Sequence, residues 1–436
     1  MSRFIVQQAK THRRGGLQVA RETYAGSSLF GWMVSPYTAK VRAHLAYKNV
    51  TFSDVAPSAF TIAGKISPAV GRVIMPTVQL ADGTWRQDSA LICDEIDREH
   101  PEPSTRPTGA AQQMAASLLE LHADEWLPML ALHYRWDIPE NAAWAQQEFG
   151  RSAFPLLPSV LSEHLAKPIA DRMRALRSVH YGPEVATMRG IEAHATLLIA
   201  ALETHLSSGA PYLLGGRASR GDFALYGPLW AHLYRDPGCR EQLFGEASHV
   251  VQWMERLHGH ASDPAFPTMP CRIRRIGEPE GQFLPSDHVP EALDPLFRAL
   301  FAEHWEHLRE LSAALDAHLD EQAAAQRTDV QPVPGEAADS ELHVPRALGS
   351  SAITVGGHEG CRRLLTYSAW RLQRPLDLYN QLQLAPSRSL ELDSVNKWLL
   401  RLGALDTFAS LRPRWRLERE SALPNTKERF RARRAT

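Results

Sequence analysis

The 436-residue chain has only four cysteines, Cys93, Cys239, Cys271 and Cys361, and no two of them form a Cys-x-x-Cys pair. This spacing argues against a disulfide scaffold or a zinc knuckle and fits a reducing cytosol. The formal net charge is −1, so no overall field attracts the protein to nucleic acid or to a membrane. No stretch approaches the run of about 18 apolar residues that a membrane span needs. We therefore expect a cytoplasmic protein with neither a membrane nor a nucleic-acid partner.

The length predicts two or three domains, because one hydrophobic core rarely serves more than about 300 residues. Prolines cluster at 101–107 and 279–285, where we place linkers. After Leu411 the chain carries nine Lys or Arg against three Glu, which is typical of a solvated arm, with a nucleic-acid or acidic-lipid contact as the alternative. The predicted units are a loose arm (1–23), a first domain (24–100), an all-helical domain (109–275), a mostly helical C-terminal extension (286–411) and a basic tail (412–436).

The first domain alternates between strand and helix patterns. A short strand precedes a helix at Pro36–Lys48, whose apolar residues follow helical spacing. After a second strand and an irregular helical stretch, two strands flank Asp82-Gly83, a strong hairpin signal. Asp88-Ser89 then begins a last helix. The order β-α-β, irregular helix, β-hairpin, helix predicts an α/β domain.

The later parts of the chain are predicted to be helical. Ser219 and Asp222 form a capping box at the start of one helix. In the C-terminal extension, Asp294 begins a long amphipathic helix, and we expect its apolar face to dock on the helical domain. The stretch Ile353–Leu365, with paired glycines, predicts a β-hairpin. The fold class is therefore α/β plus all-α, followed by a mostly helical extension with one hairpin.

The stretch Ser35-Pro36-Tyr37-Thr38 marks the start of the first helix. Proline is favoured at the first helical position, and serine is a strong N-cap. Ser35 is thus expected beside the partial positive charge of a helix N-terminus, which stabilises an anion. Two interpretations stay open: Ser35 only caps the helix, or its hydroxyl also serves a bound anion.

Four motifs, in order over roughly residues 24–275, resemble those of the glutathione transferases. They are Ser35-Pro36-Tyr37, Met75-Pro76 before the hairpin, Asp88-Ser89 at the next helix, and the Ser219-x-x-Asp222 box after Tyr212-Leu213-Leu214-Gly215-Gly216. The resemblance implies a thioredoxin-like domain that binds glutathione as co-substrate and a helical second domain. It also implies a homodimer.

In this family Ser35 would be the catalytic residue. Positions 35 and 38 lack the cysteines of the similar glutaredoxin motif, so we do not expect thiol–disulfide exchange at this loop. A hydroxyl can instead donate to the sulfur of glutathione and favour the thiolate, which then attacks an electrophilic carbon. Lowering a thiol pKa by about two units takes about 2.7 kcal/mol. One hydrogen bond to a charged acceptor supplies about 1.5–3 kcal/mol.

The resemblance assigns further residues to the glutathione site. The backbone of Met75, before a cis Pro76, would pair with the cysteinyl unit. Asp88 would bind the ammonium of the γ-glutamyl end and Ser89 its carboxylate, with helix capping alone as the alternative. The family usually has a smaller β-branched residue where Met75 stands, which leaves the shape of the pocket open.

Two further candidates surround the same site. Lys65, or alternatively Arg72, would supply a cation for the glycyl carboxylate from the irregular helix. Tyr37 is a second hydroxyl near the thiol, and packing at the second helical position is the alternative for it.

Later helices supply the remaining candidates. Trp126, Leu130 and Tyr134 are candidates for an apolar electrophile pocket, with ordinary core packing as the alternative. His304 and His307 lie three apart on one helix and could bind a metal, but no third ligand is evident in the sequence. We therefore expect no metal.

The function that these residues predict is conjugation of the glutathione thiolate to a small hydrophobic electrophile. A glutathione-dependent peroxidase or isomerase is a related possibility. The alternative from another class is a non-catalytic binding or interaction module on the same fold. Met75 and the large C-terminal extension favour that alternative.

Overall fold

The computed structural model describes residues 24–258, 271–272, 281–329, 342–419 and 430–435. The arm predicted at 1–23 lies outside the described residues. The strands are β1 Ser27–Phe30, β2 Phe52–Val55, β3 Thr77–Gln79, β4 Trp85–Gln87, β5 Cys271–Arg272, β6 Leu342–Val344, β7 Ala347–Val355, β8 His358–Leu365, β9 Trp415–Arg419 and β10 Phe430–Arg434. The α-helices are α1 Pro36–Tyr47, α2 Ala59–Thr61, α3 Ser67–Val70, α4 Ser89–Glu99, α5 Ala110–Glu125, α6 Pro128–Trp136, α7 Pro139–Ala153, α8 Ser159–Ala175, α9 Arg177–His180, α10 Val185–Leu206, α11 Arg220–Pro228, α12 Pro237–Phe244, α13 Ser248–His258, α14 Asp294–Ala299, α15 Trp305–Asp329, α16 Thr366–Gln383, α17 Ser389–Leu402 and α18 Leu405–Ser410. Shorter π-helical turns occupy Ile62–Ile66, Leu229–Tyr234 and Leu300–His304, and 3₁₀ turns occupy Pro285–Asp287, Glu291–Leu293 and Pro386–Arg388.

The first domain is a mixed sheet in the order β4-β3-β1-β2-β5. β1 and β2 are parallel, and the other neighbours are antiparallel. Leu29 of β1, Val41 and Leu45 of α1 and Ile92 of α4 share one buried core, since their apolar side chains alternate along the strand or recur at helical spacing. This arrangement confirms the predicted thioredoxin-like α/β fold. The edge strand β5, only two residues long, was not predicted.

The helical domain runs from α5 to α13. At the start of α11, the predicted capping box between Ser219 and Asp222 is present. Asp222 also accepts hydrogen bonds from the Trp253 indole and the Leu213 amide, each at 3.0 Å. The box therefore ties the connection before α11 to α13 and is structural, as expected.

Helix α10 corrects one expectation from the sequence. Its 22 residues, Val185–Leu206, are long and apolar enough to cross a membrane by length and composition. Half of that apolar window is buried within the structure. The core helix of a globular domain has the same property, since it is apolar where neighbours cover it.

The C-terminal extension contains the predicted hairpin. β7 and β8 pair from Ala347–Leu365 to Val355–His358, and Gly356 and Gly357 form the turn with φ of 53° and 79°. Two-residue turns in which both residues have positive φ match the twist of antiparallel strands. Glycine adopts a positive φ without steric cost. The hairpin prediction is confirmed, whereas the boundaries of the five predicted units stay a prediction.

The basic tail is not a solvated arm throughout. β9 and β10 pair with each other, and β10 also pairs with β6. Trp415, Leu417 and Phe430 are buried, whereas Arg414 and Arg431 on the same two segments are exposed. The prediction of a solvated arm is wrong here because the alternating apolar residues form one buried face of a sheet.

Asp287 joins the extension to the helical domain through the start of α5. Its carboxylate accepts hydrogen bonds from the backbone amides of Ala111 and Gln112, at 2.8 and 2.9 Å. The hydroxyl of Ser394 donates to the same carboxylate at 2.7 Å. A helix cap is thus supplied from 176 positions away in the chain.

Replacing Asp287 by alanine is expected to lower the free energy of unfolding by about 1 kcal/mol, since an N-cap carboxylate is lost. Asp287→Asn should recover most of that loss. Urea unfolding followed by circular dichroism measures both. Equal stability of Asp287→Ala and the unchanged protein would contradict this capping role.

Candidate functional site

Ser35 occupies the N-cap of α1 in an extended conformation, with φ −95° and ψ 119°. Its hydroxyl oxygen accepts a hydrogen bond from the Thr38 amide at 3.3 Å. Among the described residues the hydroxyl proton has no acceptor, and the side chain is half-buried. The group therefore caps the helix and keeps one donor available.

The loop before Ser35 is fixed from the helical domain. The Arg135 guanidinium donates to the Val34 carbonyl at 2.9 Å and pairs with the buried Asp236 at 2.7 Å. Gly227 of α11 lies against Pro36, where an added Cβ would be 2.6 Å from the Pro36 carbonyl oxygen. This close helix approach needs glycine and holds the α1 N-terminus in place.

Tyr37 does not point a free hydroxyl at the candidate thiol position. It donates to the Asp124 carbonyl at 2.9 Å. Burial, together with the nearby Glu125 and Asp124 carboxylates, raises the pKa of Tyr37 well above its usual range. These contacts favour the packing interpretation.

Met75 and Pro76 are joined by a cis peptide bond, as the resemblance implies. Met75 is half-buried, and Pro76 leads directly into β3. Lys65 is exposed on the preceding irregular helix, with its Nζ 4.9 Å from the centroid of the Phe30 ring. Its role with a glycyl carboxylate stays a prediction.

Asp88 is one of the residues at which the C-terminal extension and the basic tail contact the first domain. Its φ is +79°, and one carboxylate oxygen accepts hydrogen bonds from the amides of Ala90 and Leu91, at 2.9 and 3.3 Å. The other oxygen accepts from the Tyr367 hydroxyl at 2.7 Å and pairs with the Arg419 guanidinium. The sequence predicted the cap but not these two partners. Ser89 beside it is buried at the α4 N-terminus.

A buried charge cluster joins α1, α5, α11 and α16 next to this site. Lys40 lies 2.8 Å from Glu120 and 2.6 Å from Asp124. Arg220 pairs with Glu120, and Arg371 lies 3.1 Å from Asp124. Leaving a buried charge without its partner is costly, so this cluster holds the first domain, the helical domain and the C-terminal extension together. No local sequence pattern indicates this cluster, because its members are far apart in the chain.

Glu125 lies at the end of α5, where α16 and β8 cover it. Ser368 donates to its carboxylate at 2.5 Å, and Arg362 donates to its backbone carbonyl. Burial raises the pKa of Glu125 to about 7, although the Ser368 hydrogen bond and Arg371 act in the opposite direction. This carboxyl group therefore binds a proton more readily than an exposed glutamate does.

The three candidate pocket residues lie in the core. Trp126, Leu130 and Tyr134 each expose 2% or less of their surface. Trp126 stacks on His304 with centroids 5.1 Å apart, and the Arg362 guanidinium lies 5.0 Å from its ring. The structure places them in packed contacts rather than along a cleft, which favours the ordinary-core alternative.

His304 belongs to a buried row of histidines that the sequence did not reveal. His304 Nδ1 lies 3.3 Å from His122 Nδ1, and His122 Nε2 lies 3.3 Å from His194 Nε2. His194 Nδ1 is 2.7 Å from Glu303, whose other oxygen accepts from the Gly356 amide. Within the part of the chain that the structure describes, no group of three or more His, Cys, Asp or Glu is arranged to hold a metal ion.

Comparison with known proteins identifies two segments of the chain. Residues 29–104 match the family model of the glutathione S-transferase N-terminal domain, and residues 183–260 match that of the C-terminal domain. The search of curated proteins gives no match.

Several solved structures are similar to part of the chain. The beta-etherase LigF from Sphingobium sp. strain SYK-6 is 18% identical over 54% of this chain and 96% of its own, with a TM-score of 0.39. A glutathione S-transferase from Methylobacterium radiotolerans, in complex with glutathione sulfonate, is 19% identical over 54% and 92%, with a TM-score of 0.34. A glutathione S-transferase from Rhodospirillum rubrum is 17% identical over 57% and 96%, with a TM-score of 0.33.

Proposed function

The chain belongs to the glutathione transferase family through its residues 29–104 and 183–260, and from this we propose that its first domain binds glutathione and conjugates the thiolate to a small hydrophobic electrophile. The observation that carries the proposal is the Ser35 hydroxyl. It caps α1 as an acceptor and, among the described residues, has no acceptor for its own proton. A thiolate held at this helix end would accept a hydrogen bond from the Ser35 hydroxyl. The partial positive charge of the helix N-terminus would stabilise it further.

In the proposed mechanism Ser35 stabilises the thiolate, the Met75 backbone aligns the cysteinyl unit, and Ser89 holds the γ-glutamyl carboxylate at the α4 N-terminus. The sulfur lone pair forms the new bond to the electrophilic carbon, and the leaving group departs with the displaced electron pair. The protein accelerates the reaction by stabilising the thiolate, so that more of the bound glutathione is ionised at neutral pH. Lys65 is proposed for the glycyl carboxylate.

The test is a conjugation assay with purified protein, glutathione and a chloronitroaromatic acceptor. We expect turnover above the uncatalysed rate, and its pH profile should show an apparent pKa below that of free glutathione. Turnover no faster than the protein-free control, over a panel of electrophiles, would contradict conjugation.

A second candidate is a non-catalytic binding or interaction module on the same fold. The specific observation in its favour is that Tyr367, Ser368 and Arg419 already contact Asp88 and Glu125 beside the proposed site. It predicts weak or absent glutathione binding together with no turnover. A peroxidase or isomerase would instead bind glutathione and act on a different substrate panel.

Assembly as a homodimer and a cytoplasmic location, both implied by the resemblance or by composition, are also proposals. Light scattering coupled to size exclusion measures the mass in solution. A mass that stays near the 48.7 kDa of one chain at all concentrations would exclude the dimer.

A further inference from the structure

The carboxylate of Asp88 has no acceptor position left for an incoming ligand. A carboxylate accepts about four hydrogen bonds. The Ala90 and Leu91 amides take one oxygen, and the Tyr367 hydroxyl and Arg419 guanidinium take the other. An ammonium group could reach Asp88 only by displacing one of these donors.

The two partners from the later chain are held firmly. Tyr367 is the second residue of α16, and Arg419 is the last residue of β9. The Arg419 guanidinium lies 5.6 Å from the centroid of the Tyr367 ring and 5.3 Å from that of Trp370. The guanidinium is thus fixed between two aromatic rings as well as by Asp88.

The charge of Asp88 is already balanced. Burial by itself would raise the pKa of this carboxyl, but the guanidinium groups of Arg419 and Arg371 and the Tyr367 hydrogen bond hold its pKa below the usual range. Asp88 is therefore an ionised group with a bound cation, so a second cation gains little by approaching it.

Ser89, the next residue, differs from Asp88 in its hydrogen bonding. Its hydroxyl and its backbone amide have no hydrogen-bond partner among the described residues. The residue is only 8% exposed and lies at the N-terminus of the 11-residue helix α4. Ser89 therefore carries two donors at the positive end of a helix, directly after Asp88 in the chain.

We propose that Arg419 of the basic tail and Tyr367 of the C-terminal extension have replaced the ligand's ammonium at Asp88, so that the site selects the γ-glutamyl end by its carboxylate alone. This inference rests on the proposed binding of glutathione. It widens the ligand class to thiols that carry this carboxylate without a free amine. Arg419 and Tyr367 act here as specificity-determining residues.

The experiment compares three thiols by calorimetry with the full-length protein. They are glutathione, glutaryl-cysteinylglycine, which lacks only the amine, and 4-aminobutanoyl-cysteinylglycine, which lacks only the carboxylate. We expect the amine-free thiol to bind within about threefold of glutathione and the carboxylate-free thiol to bind at least about tenfold more weakly, since only the second loses a charged hydrogen-bonding group.

The variant Arg419→Gln frees one position on Asp88. In it, glutathione should bind about tenfold more tightly than the amine-free thiol, because the ammonium now gains a partner. Tyr367→Phe should shift the ratio in the same direction. The control Arg433→Gln removes an exposed arginine that pairs with Glu418 on the same sheet, and it should leave the ratio unchanged.

A tenfold loss on removing the amine in the unchanged protein, with no change of that ratio in Arg419→Gln, would overturn the inference while leaving the proposed function intact. Failure of all three thiols to bind to either protein would instead contradict the proposed function, and the inference with it.

Discussion

Replacing Ser35 by glycine is expected to lower kcat/KM for conjugation by about 10- to 100-fold, because one hydrogen bond to a charged sulfur is lost. The apparent pKa of bound glutathione should rise toward that of the free thiol by about one to two units. Glycine is the informative replacement, since it costs an N-cap only a few tenths of a kcal/mol relative to serine. The effect on activity is thereby separated from the effect on the helix.

Two further variants make the interpretation specific. Ser35→Thr keeps a hydroxyl at the N-cap and should retain most of the activity. Ser35→Ala loses both the cap and the donor, and should lower stability as well as activity. Unchanged pH–rate profiles in Ser35→Gly would show that Ser35 only caps α1.

Acidification from pH 7 to pH 5 is expected to destabilise the protein strongly through its buried histidines. His122, His180 and His304 have pKa values well below the usual range because burial disfavours their charged form, and the Arg362 guanidinium adds to the effect. Burial lowers the pKa of His307 to about 3, again with Arg362 as the second cause. His307 is thus neutral in the folded protein at pH 5, and burial makes the other three resist protonation as well.

Acid destabilises the folded protein at these histidines because the unfolded chain binds more protons there than the folded chain does. In the unfolded chain these histidines take up protons below about pH 6.5, whereas the folded protein resists them. The contribution of these histidines to stability is therefore complete above about pH 6.5 and is lost as the pH falls, whereas the raised pKa of Glu125 acts in the opposite direction. His307 alone accounts for about 2 kcal/mol at pH 5.

Urea unfolding at a series of pH values, for the unchanged protein and His307→Gln, measures this contribution. Glutamine can still bond Ser351, which His307 contacts at 3.1 Å. The variant should lose about 2 kcal/mol of the pH dependence between pH 7 and pH 5. The exposed His164, replaced in the same way, is the control. Identical pH dependence in the unchanged protein and His307→Gln would contradict the account.

The sequence predicted those parts of the site that are encoded locally. Ser35 and Asp88 were found because capping residues directly precede helices, and the hairpin at Gly356 was found because two glycines interrupt alternating strands. Such signals lie within a few residues of the feature they specify. They are therefore readable without knowledge of the remaining chain.

The long-range contacts around the candidate site were not predictable in this way. Asp88 meets Tyr367 and Arg419, which lie 279 and 331 positions later in the chain. The helical spacing groups His304 with His307, yet in the structure His304 also lies beside His122, 182 positions earlier. Residues that come together only through packing leave no periodic pattern, so neither the saturation of Asp88 nor the histidine row could be inferred. The same packing places Trp126 in the core.

Titration calorimetry of the purified protein with glutathione tests the central claim most directly. The account predicts saturable heat with one site per chain, weakened in Ser89→Ala, since that variant loses a donor to the γ-glutamyl carboxylate. Absence of saturable heat in the unchanged protein would contradict the claim that the first domain is a glutathione site.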